Sequence, residues 1–267
     1  MQAKKKPLIA VITGAAGLLG PIHAEAILEI NGTVILTDID KSKLKDLKYH
    51  LIKKFDKKRI FTCQMDVTSE KNIQNVCRDV IKRFNQIDVL INNAAIDAKV
   101  SSKGNLSFTN KFEKFDINQW KKELDVGLMG YFLCCKIIGS EMKKNKNGGV
   151  ILNIASDLSV IAPNQSLYAK NQKKPVTYSV IKTGVIGLTK YLAAYWGANN
   201  IRVNALSPGG VSNNQDKKFV KRLISLIPLK RMLNKEEIKS SVQFLCSNKS
   251  SYLNGHNLIL DGGRTII

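Results

Sequence analysis

The chain of 267 residues is predicted to form an α/β fold in which helices flank both faces of a doubly wound parallel β-sheet. Short β-branched apolar runs alternate with helical segments along the whole chain. A glycine-rich string joins the first run to its helix, and polar clusters follow the ends of later runs. No internal repeat, low-complexity tract or linker divides the sequence, so residues 1–267 are expected to form a single domain.

The composition predicts a packed core and raises the question of an anionic partner. Hydrophobic residues make up 44% of the chain, and the net charge is +21. The lysines are spread along predicted helix faces, without a basic stripe interleaved with aromatic residues, so nucleic-acid binding is not expected. An anionic small-molecule substrate and a lysine bias of purely compositional origin both remain open.

The sequence predicts a soluble cytoplasmic protein without a membrane partner. No apolar run approaches the roughly 20 residues that span a bilayer. The basic start, Met1 to Lys6, leads into a strand-like run and not into a signal-peptide core. The five cysteines lack metal-ligand spacing, which predicts free thiols in a reducing compartment and no metal site.

The first strand–turn–helix unit predicts a dinucleotide site. A buried strand at Leu8 to Thr13 precedes a glycine-rich turn, and a helix continues to about Ile30, with Pro21 in its first turn. Glycines let the backbone bend tightly and approach a pyrophosphate, which then meets the free N–H groups of the helix start. A plain strand–helix turn is the alternative. The predicted cofactor-binding residues here are Gly14, Ala16, Gly17, Leu18, Leu19 and Gly20.

Asp38, at the end of the second predicted strand (Thr33 to Thr37), favours NAD over NADP. A carboxylate there can accept hydrogen bonds from the adenosine ribose hydroxyls and repels a 2′-phosphate. Neither Ala16 nor Ile39 offers that phosphate a cation. Asp40, and not Asp38, stands at the predicted cap of the following helix.

The remaining elements follow the same alternation. Thr68 or Ser69 is expected to cap a helix that runs to about Phe84, and a further helix covers roughly residues 118–142. Three long polar segments, at about 97–116, 157–177 and 208–232, are predicted substrate loops on the ligand side of the sheet. The other predicted strands are Arg59 to Gln64, Ile87 to Ile91, Val150 to Ile154, Ile201 to Leu206 and Leu258 to Leu260.

A predicted helix from Val176 to Trp196 places Tyr178 and Lys182 on one face, because residues four apart are neighbours on a helix. A free phenol has a pKa of about 10, and a nearby cation favours the phenolate. A tyrosine whose pKa approaches the working pH can exchange a proton with an alcohol or a carbonyl. An ordinary helix with one buried tyrosine and one solvated lysine is the alternative.

Taken in order, these motifs resemble the short-chain dehydrogenase/reductase family over about residues 7 to 263. The resemblance implies a Rossmann-type fold, NAD(P)-dependent chemistry between alcohols and carbonyls, and a homodimer or homotetramer. The matching pieces are Thr13-Gly14…Gly20, Asp38, Asp66-Val67, Asn92-Asn93-Ala94-Ala95, Ser156, Tyr178…Lys182, Pro208-Gly209, Tyr252-Leu253-Asn254-Gly255 and Asp261-Gly262-Gly263.

The resemblance also implies roles for individual residues. Tyr178 would be the general acid/base, and Lys182 would lower its pKa and hold the nicotinamide ribose. Ser156 would form a hydrogen bond to the reacting oxygen, which is consistent with a neutral donor steadying charge in a site that excludes water; a serine that merely ends a strand is the alternative. Further cofactor contacts are implied at Asp66, Val67, Asn92, Asn93, Ala94, Pro208, Gly209 and Val211.

Three features depart from the family pattern. Leu18 stands where the middle glycine is usual, and Gly127 stands where most members carry an asparagine that fixes a water in the proton relay. The gap from Ser156 to Tyr178 is about ten residues longer than usual. The excess is interpreted as a substrate-loop insertion, because Tyr168 has Gln172 and not a lysine four residues later.

The sequence therefore predicts an NAD-dependent oxidoreductase that interconverts a hydroxyl and a carbonyl on a small polar substrate, anionic or sugar-derived. The long ligand-side segments carry Lys170, Lys173 and Lys174 and are rich in hydrogen-bonding groups rather than aromatics. A catalytically impaired NAD-binding scaffold of the same fold is the alternative, because Gly127 lacks the relay side chain.

Overall fold

The predicted fold is confirmed by the computed structural model, which describes residues 7–97, 111–168 and 172–267. Seven parallel strands form one sheet in the order β3-β2-β1-β4-β5-β6-β7. The strands are β1 Ile9–Ile12, β2 Thr33–Asp38, β3 Ile60–Gln64, β4 Val89–Asn92, β5 Gly149–Ile154, β6 Ile201–Pro208 and β7 Asn257–Leu260.

The strand order reverses between β1 and β4, and this reversal creates the crevice in which doubly wound folds bind ligands. Ile12 of β1 lies level with Leu36 of β2 and with Ile91 of β4. Because all strands are parallel, the polar residues that follow them meet at one edge of the sheet. The predicted clustering of polar groups at the carboxyl ends is thereby explained.

The helices cover both faces of the sheet. α7 has the bounds expected from its apolar spacing, whereas the predicted helix at 118–142 is divided into α4, α5 and α6 by two wider π-helical turns, Asp125–Met129 and Cys135–Gly139. The helices are α1 Gly20–Glu29, α2 Lys41–Ile52, α3 Glu70–Phe84, α4 Ile117–Leu124, α5 Gly130–Cys134, α6 Ser140–Met142, α7 Val176–Trp196, α8 Lys217–Ser225 and α9 Lys235–Leu245.

Two side-chain caps begin helices where the sequence places them. Asp40 accepts a hydrogen bond from the backbone N–H of Lys43 at 3.0 Å, and Ser69 accepts one from Asn72 at 3.3 Å. No sequence pattern predicts α9, whose three buried apolar residues are set among polar and charged ones. This helix packs against α1, so only tertiary contact makes its short apolar stripe effective.

The core consists of two apolar layers, one on each face of the sheet. One layer packs beneath α1, α2 and α9, and the other beneath α3, the α4–α6 segment and α7. All five cysteines are free, four of them buried. Within residues 7–97, 111–168 and 172–267, no helix combines the length and apolar character that crossing a bilayer demands. Much of the predicted loop at 97–116, together with Lys170, lies outside the described residues.

Candidate active site

A cleft of about 980 Å³ opens at the carboxyl edge of the sheet, above the crevice between β1 and β4. It is lined by the glycine turn, by the residues that follow β3 to β6, by the start of α7 and by the C-terminal segment. Of the predicted catalytic and cofactor-binding residues, Gly20 and Asn92 are not part of the lining. The remaining predicted residues meet in this one cleft.

Two glycines shape the turn for different steric reasons. Gly14 has a φ of +59°, and a Cβ added to it would lie 2.6 Å from the Cα of Ala94. A Cβ on Gly20 would lie 2.1 Å from the carbonyl oxygen of Ala15. Gly20 therefore lets α1 begin against the turn, and it shapes the cleft without lining it.

Asn93 holds the turn from the neighbouring strand. Its side-chain amide donates to the carbonyl oxygens of Thr13 at 3.2 Å and Gly14 at 2.8 Å. The hydroxyl of Thr13 accepts the backbone N–H groups of Asn93 and Ala94 in return. The end of β4 thereby fixes the conformation of the glycine turn.

Asn92 does not line the cleft, in contrast to the expectation from the resemblance. Its side chain is fully buried within the sheet and donates to Asn153 at 2.9 Å. Asn153 in turn donates to the hydroxyl of Thr189 on α7 at 2.9 Å. Successive side chains of a strand point to opposite faces, so Asn92 joins the core while Asn93 reaches the turn.

Asp38 is held rigidly at the edge of the cleft. One carboxylate oxygen accepts the backbone N–H of Ala16 and the other accepts that of Asp40, both at 3.0 Å. The nearby Lys43 forms an exposed ion pair with Asp40 at 2.9 Å. The glycine turn and this fixed carboxylate together fit the dinucleotide cofactor that the sequence predicts.

Ser156 and Tyr178 face each other across the cleft. Ser156 follows β5, and its hydroxyl donates to Asp157 at 2.9 Å. Tyr178 lies in the first turn of α7 and is half-buried. Burial raises the pKa of Tyr178 above its ordinary value, and Asp97 raises it further, while a hydrogen bond with Ser156 opposes both. The lowering of this pKa by Lys182 stays a prediction.

Lys182 lies on the same side of α7 as Tyr178, as its spacing predicts, with its ammonium 5.9 Å from the centroid of the tyrosine ring. The ammonium donates to the carbonyl oxygen of Ile154, the last residue of β5, at 2.7 Å. The hydroxyl of Tyr131 donates to the same oxygen at 3.1 Å. Burial lowers the pKa of Lys182 to about 8, against the opposing effect of Asp97.

Two ion pairs at the cleft have no counterpart among the predicted site residues. Lys174 pairs with Asp97 at 2.6 Å, and Arg264 pairs with Asp157 at 2.6 Å. In the second pair both side chains are less than 10% exposed. The partners stand 77 and 107 residues apart in the chain, so no local pattern could have indicated them.

Tyr168 is a second tyrosine that lines the cleft. It follows a short 3₁₀ turn, Gln165–Leu167, and its ring packs against Phe219 of α8 at 5.8 Å. Burial raises the pKa of Tyr168 as well. Unlike Tyr178, it lies outside a helix and has Gln172, not a lysine, four residues later.

Gly127 is buried where the resemblance leads one to expect an asparagine. A Cβ on Gly127 would lie 2.8 Å from Cγ2 of Ile181, the residue before Lys182. The space of the missing side chain is therefore taken by the isoleucine, and an asparagine would have to displace it.

Gly127→Asn is accordingly expected to destabilise the protein by about 1–3 kcal/mol through overpacking, and not to increase turnover. Urea denaturation measures the first effect and steady-state kinetics the second. Gly187→Asn is the matched control, because Gly187 lies on α7 with no atom within 4 Å of an added Cβ. A stable and faster Gly127→Asn enzyme would contradict this account of the packing.

The chain is similar over nearly its whole length to known dehydrogenases. The model of the family described as enoyl-(acyl carrier protein) reductase matches residues 14–265. An NAD-dependent glycerol dehydrogenase of Listeria innocua is 34% identical over 263 residues, which cover 97% of this chain and 94% of the relative. A D-threitol dehydrogenase of Mycolicibacterium smegmatis is 31% identical, with 97% and 93% covered.

Among solved structures, a short-chain dehydrogenase from Leptospira borgpetersenii with bound NAD⁺ aligns with a TM-score of 0.83 and 30% identity. The alignment covers 99% of this chain and 97% of that structure.

Proposed function

The chain belongs to the short-chain dehydrogenase/reductase family of oxidoreductases, and we propose that it interconverts a secondary hydroxyl and a carbonyl on a small polyhydroxylated substrate with NAD. One observation carries the proposal. Ser156, Tyr178 and Lys182 line the same cleft as the glycine turn that Asn93 holds and Asp38 borders.

The roles in the reaction follow from the chemistry of these side chains. NAD, when bound, supplies a ring that exchanges hydride with the substrate carbon. The phenolate of Tyr178 takes the hydroxyl proton during oxidation, and the phenol returns it during reduction. Ser156, whose hydroxyl donates to Asp157 in this structure, would turn that proton to the reacting oxygen and stabilise its charge, and the Lys182 ammonium favours the phenolate.

NAD is the proposed cofactor because of the surroundings of Asp38. Its two carboxylate oxygens are fixed by backbone N–H groups at the edge of the cleft, so the charge cannot swing away from a 2′-phosphate. The ammonium of Lys43, which could offset that charge, pairs with Asp40. The glycerol dehydrogenase among the relatives is NAD-dependent by name.

A neutral polyol is a better candidate substrate than the anionic one that the lysine-rich segments suggest. Two of the cations that line the cleft, Lys174 and Arg264, are each paired with a carboxylate and therefore offer little net charge to an anion. A carboxylate in an ion pair keeps lone pairs that can accept hydrogen bonds from the hydroxyl groups of a polyol. The relatives that act on glycerol and threitol by name support the same class.

The proposal is tested by NADH formation with a panel of glycerol, longer polyols, aldonates and simple secondary alcohols, each with NAD and with NADP. We expect the highest kcat/KM for a neutral polyol with NAD. Turnover of none of them, in either direction, would reject the oxidoreductase proposal for this substrate class. A preference for aldonates or for NADP would reject the corresponding part alone.

A non-catalytic NAD-binding scaffold is the second candidate, favoured by the filled space beside Gly127. It predicts that NADH binds with ordinary affinity while no compound in the panel is oxidised or reduced. Turnover in the panel separates the two candidates, and fluorescence titration with NADH shows whether an inactive protein is folded, because an unfolded preparation would fail to bind the dinucleotide.

We also propose that the protein forms a homodimer or homotetramer. The π-helical turn before α5, α5 itself and α7 expose large apolar side chains, namely Met129, Phe132, Tyr191 and Tyr195. The rings of Tyr191 and Tyr195 stack at 5.9 Å and form a flat surface. A second copy of the chain would remove these groups from water. Sedimentation analysis that finds only monomers would reject the assembly.

A further inference from the structure

A second lysine lies against Tyr178. It comes before the tyrosine in the chain, whereas Lys182 comes after it. Lys174 precedes the tyrosine by four residues, within the segment that makes the gap after Ser156 unusually long. Its ammonium lies 3.8 Å from the centroid of the Tyr178 ring, whereas that of Lys182 lies 5.9 Å away. Lys174 is therefore the nearer of these two cations.

Lys174 is fixed in this position at both ends. Its backbone N–H donates to the side chain of Gln165 at 2.9 Å, and its ammonium forms the 2.6 Å ion pair with Asp97. Only 9% of its side chain is exposed. A surface lysine could leave the ring at little cost, but this one is held there away from bulk water.

A cation over an aromatic ring interacts with the electron-rich face, and the interaction strengthens as water is excluded. Ionisation of the phenol adds a full negative charge to the same group, so the cation stabilises the phenolate more than the phenol. The carboxylate of Asp97 has the opposite effect on Tyr178. The balance of this pair sets how much positive charge the ring experiences.

We propose that Lys174 is a positioning residue that stabilises the phenolate of Tyr178, with Asp97 moderating its charge. The inference deepens the proposed function and rests on Tyr178 being the proton-transfer group. Lys174 needs no contact with the reacting atoms, because it acts through the ring.

Other groups also face Tyr178 and influence how its pKa changes when Lys174 is removed. Removing Lys174 leaves Asp97 unpaired, which raises the pKa of the tyrosine further. The same change favours the charged form of Lys182, because Lys174 lowers the pKa of that group. The Lys182 ammonium therefore still stabilises the phenolate of Tyr178 when Lys174 is removed. The remaining neighbours are Ser156, Asp157 and Tyr168, and Arg264 pairs with Asp157.

The first test is the pH dependence of kcat/KM for alcohol oxidation. This reaction needs the phenolate, so its rate rises with pH through the apparent pKa of Tyr178. Lys174→Gln is expected to move the acid limb upward by about one pH unit, which is about tenfold in rate at a pH on that limb. Asp97→Asn is expected to move the limb downward, and Lys174→Arg to leave it near the wild-type position.

Lys173→Gln is the matched control, since it removes the same charge from the exposed neighbouring residue. It is expected to leave the limb in place, because water and salt screen an exposed charge. If Lys173→Gln and Lys174→Gln shift the limb equally, or if neither shifts it, the proposal is wrong. A higher KM for acidic substrates with an unmoved limb also overturns it and assigns Lys174 to substrate binding.

A second readout needs no turnover. The ultraviolet absorbance of phenolate is titrated in the complex with NAD, and the Tyr178→Phe titration is subtracted to isolate Tyr178. The isolated transition is expected at higher pH in Lys174→Gln than in the wild type. If no substrate is found, this titration still decides the role of Lys174, so its failure and that of the proposed function are distinguishable.

Discussion

Tyr178→Phe is expected to reduce kcat for polyol oxidation by about 10²–10⁴-fold while NADH still binds, because proton transfer by a positioned side chain contributes about that factor. The substitution removes one oxygen and keeps the ring against which Lys174 packs. Turnover is measured by NADH absorbance and cofactor binding by fluorescence titration. Loss of turnover and of NADH binding together would indicate a damaged cleft. The loss of turnover could then not be attributed to the missing phenol hydroxyl.

Tyr168→Phe is the control that makes this result specific to one position. It removes a hydroxyl from the same cleft, but from a residue that follows a 3₁₀ turn and has Gln172, not a lysine, four residues later. We expect its effect on kcat to stay below tenfold, with any larger change confined to KM. The reverse outcome, in which Tyr168→Phe is inactive and Tyr178→Phe is active, would assign the acid/base role to Tyr168.

Arg264→Met is expected to destabilise the protein by about 3–5 kcal/mol, because it leaves the carboxylate of Asp157 buried without its partner. The two side chains are 8% and 5% exposed, and their 2.6 Å contact ties the C-terminal segment to the residue after Ser156. Urea denaturation at neutral pH measures the loss. Arg231→Met is the matched control, since Arg231 pairs with Glu237 at an exposed position, where we expect a change of at most about 1 kcal/mol.

The double variant Asp157→Leu/Arg264→Met separates the stability lost through an unpaired buried charge from the activity lost through the missing Asp157 side chain. Replacing both members of a buried pair by apolar residues is often close to neutral in stability, so we expect most of the lost free energy of unfolding to return. Activity should not return, because the hydroxyl of Ser156 donates to Asp157 and loses that orientation. Recovery of full turnover in the stable double variant would show that Asp157 has no part in placing Ser156.

Much of the fold and part of the site could be predicted because their signals are local. The helix at Val176–Trp196 has the predicted bounds, since its apolar spacing is continuous over 21 residues. Asp40 and Ser69 cap the helices that follow them, because a cap needs only its own next three residues. The glycine turn could be placed for the same reason, since strand, turn and helix are consecutive.

Other features required the packed chain. α9 was not predicted, because its apolar stripe is short and gains its stability from α1. Asn92 and Asn93 look equivalent in sequence, yet the alternation of a strand sends one to the core and the other to the turn. The crowding of Gly127 by Ile181 depends on how the π-helical turn meets α7.

The sequence by itself determined which groups the chain brings to the sheet edge: the glycine turn, Asp38, Ser156, and the tyrosine and lysine of α7. Only the tertiary structure decided which charges surround them. The pairs Lys174–Asp97 and Arg264–Asp157 join distant parts of the chain, and burial acts on the pKa of Tyr178 and of Lys182. Local spacing orders residues along one element, whereas desolvation and ion pairing depend on every element that closes over them.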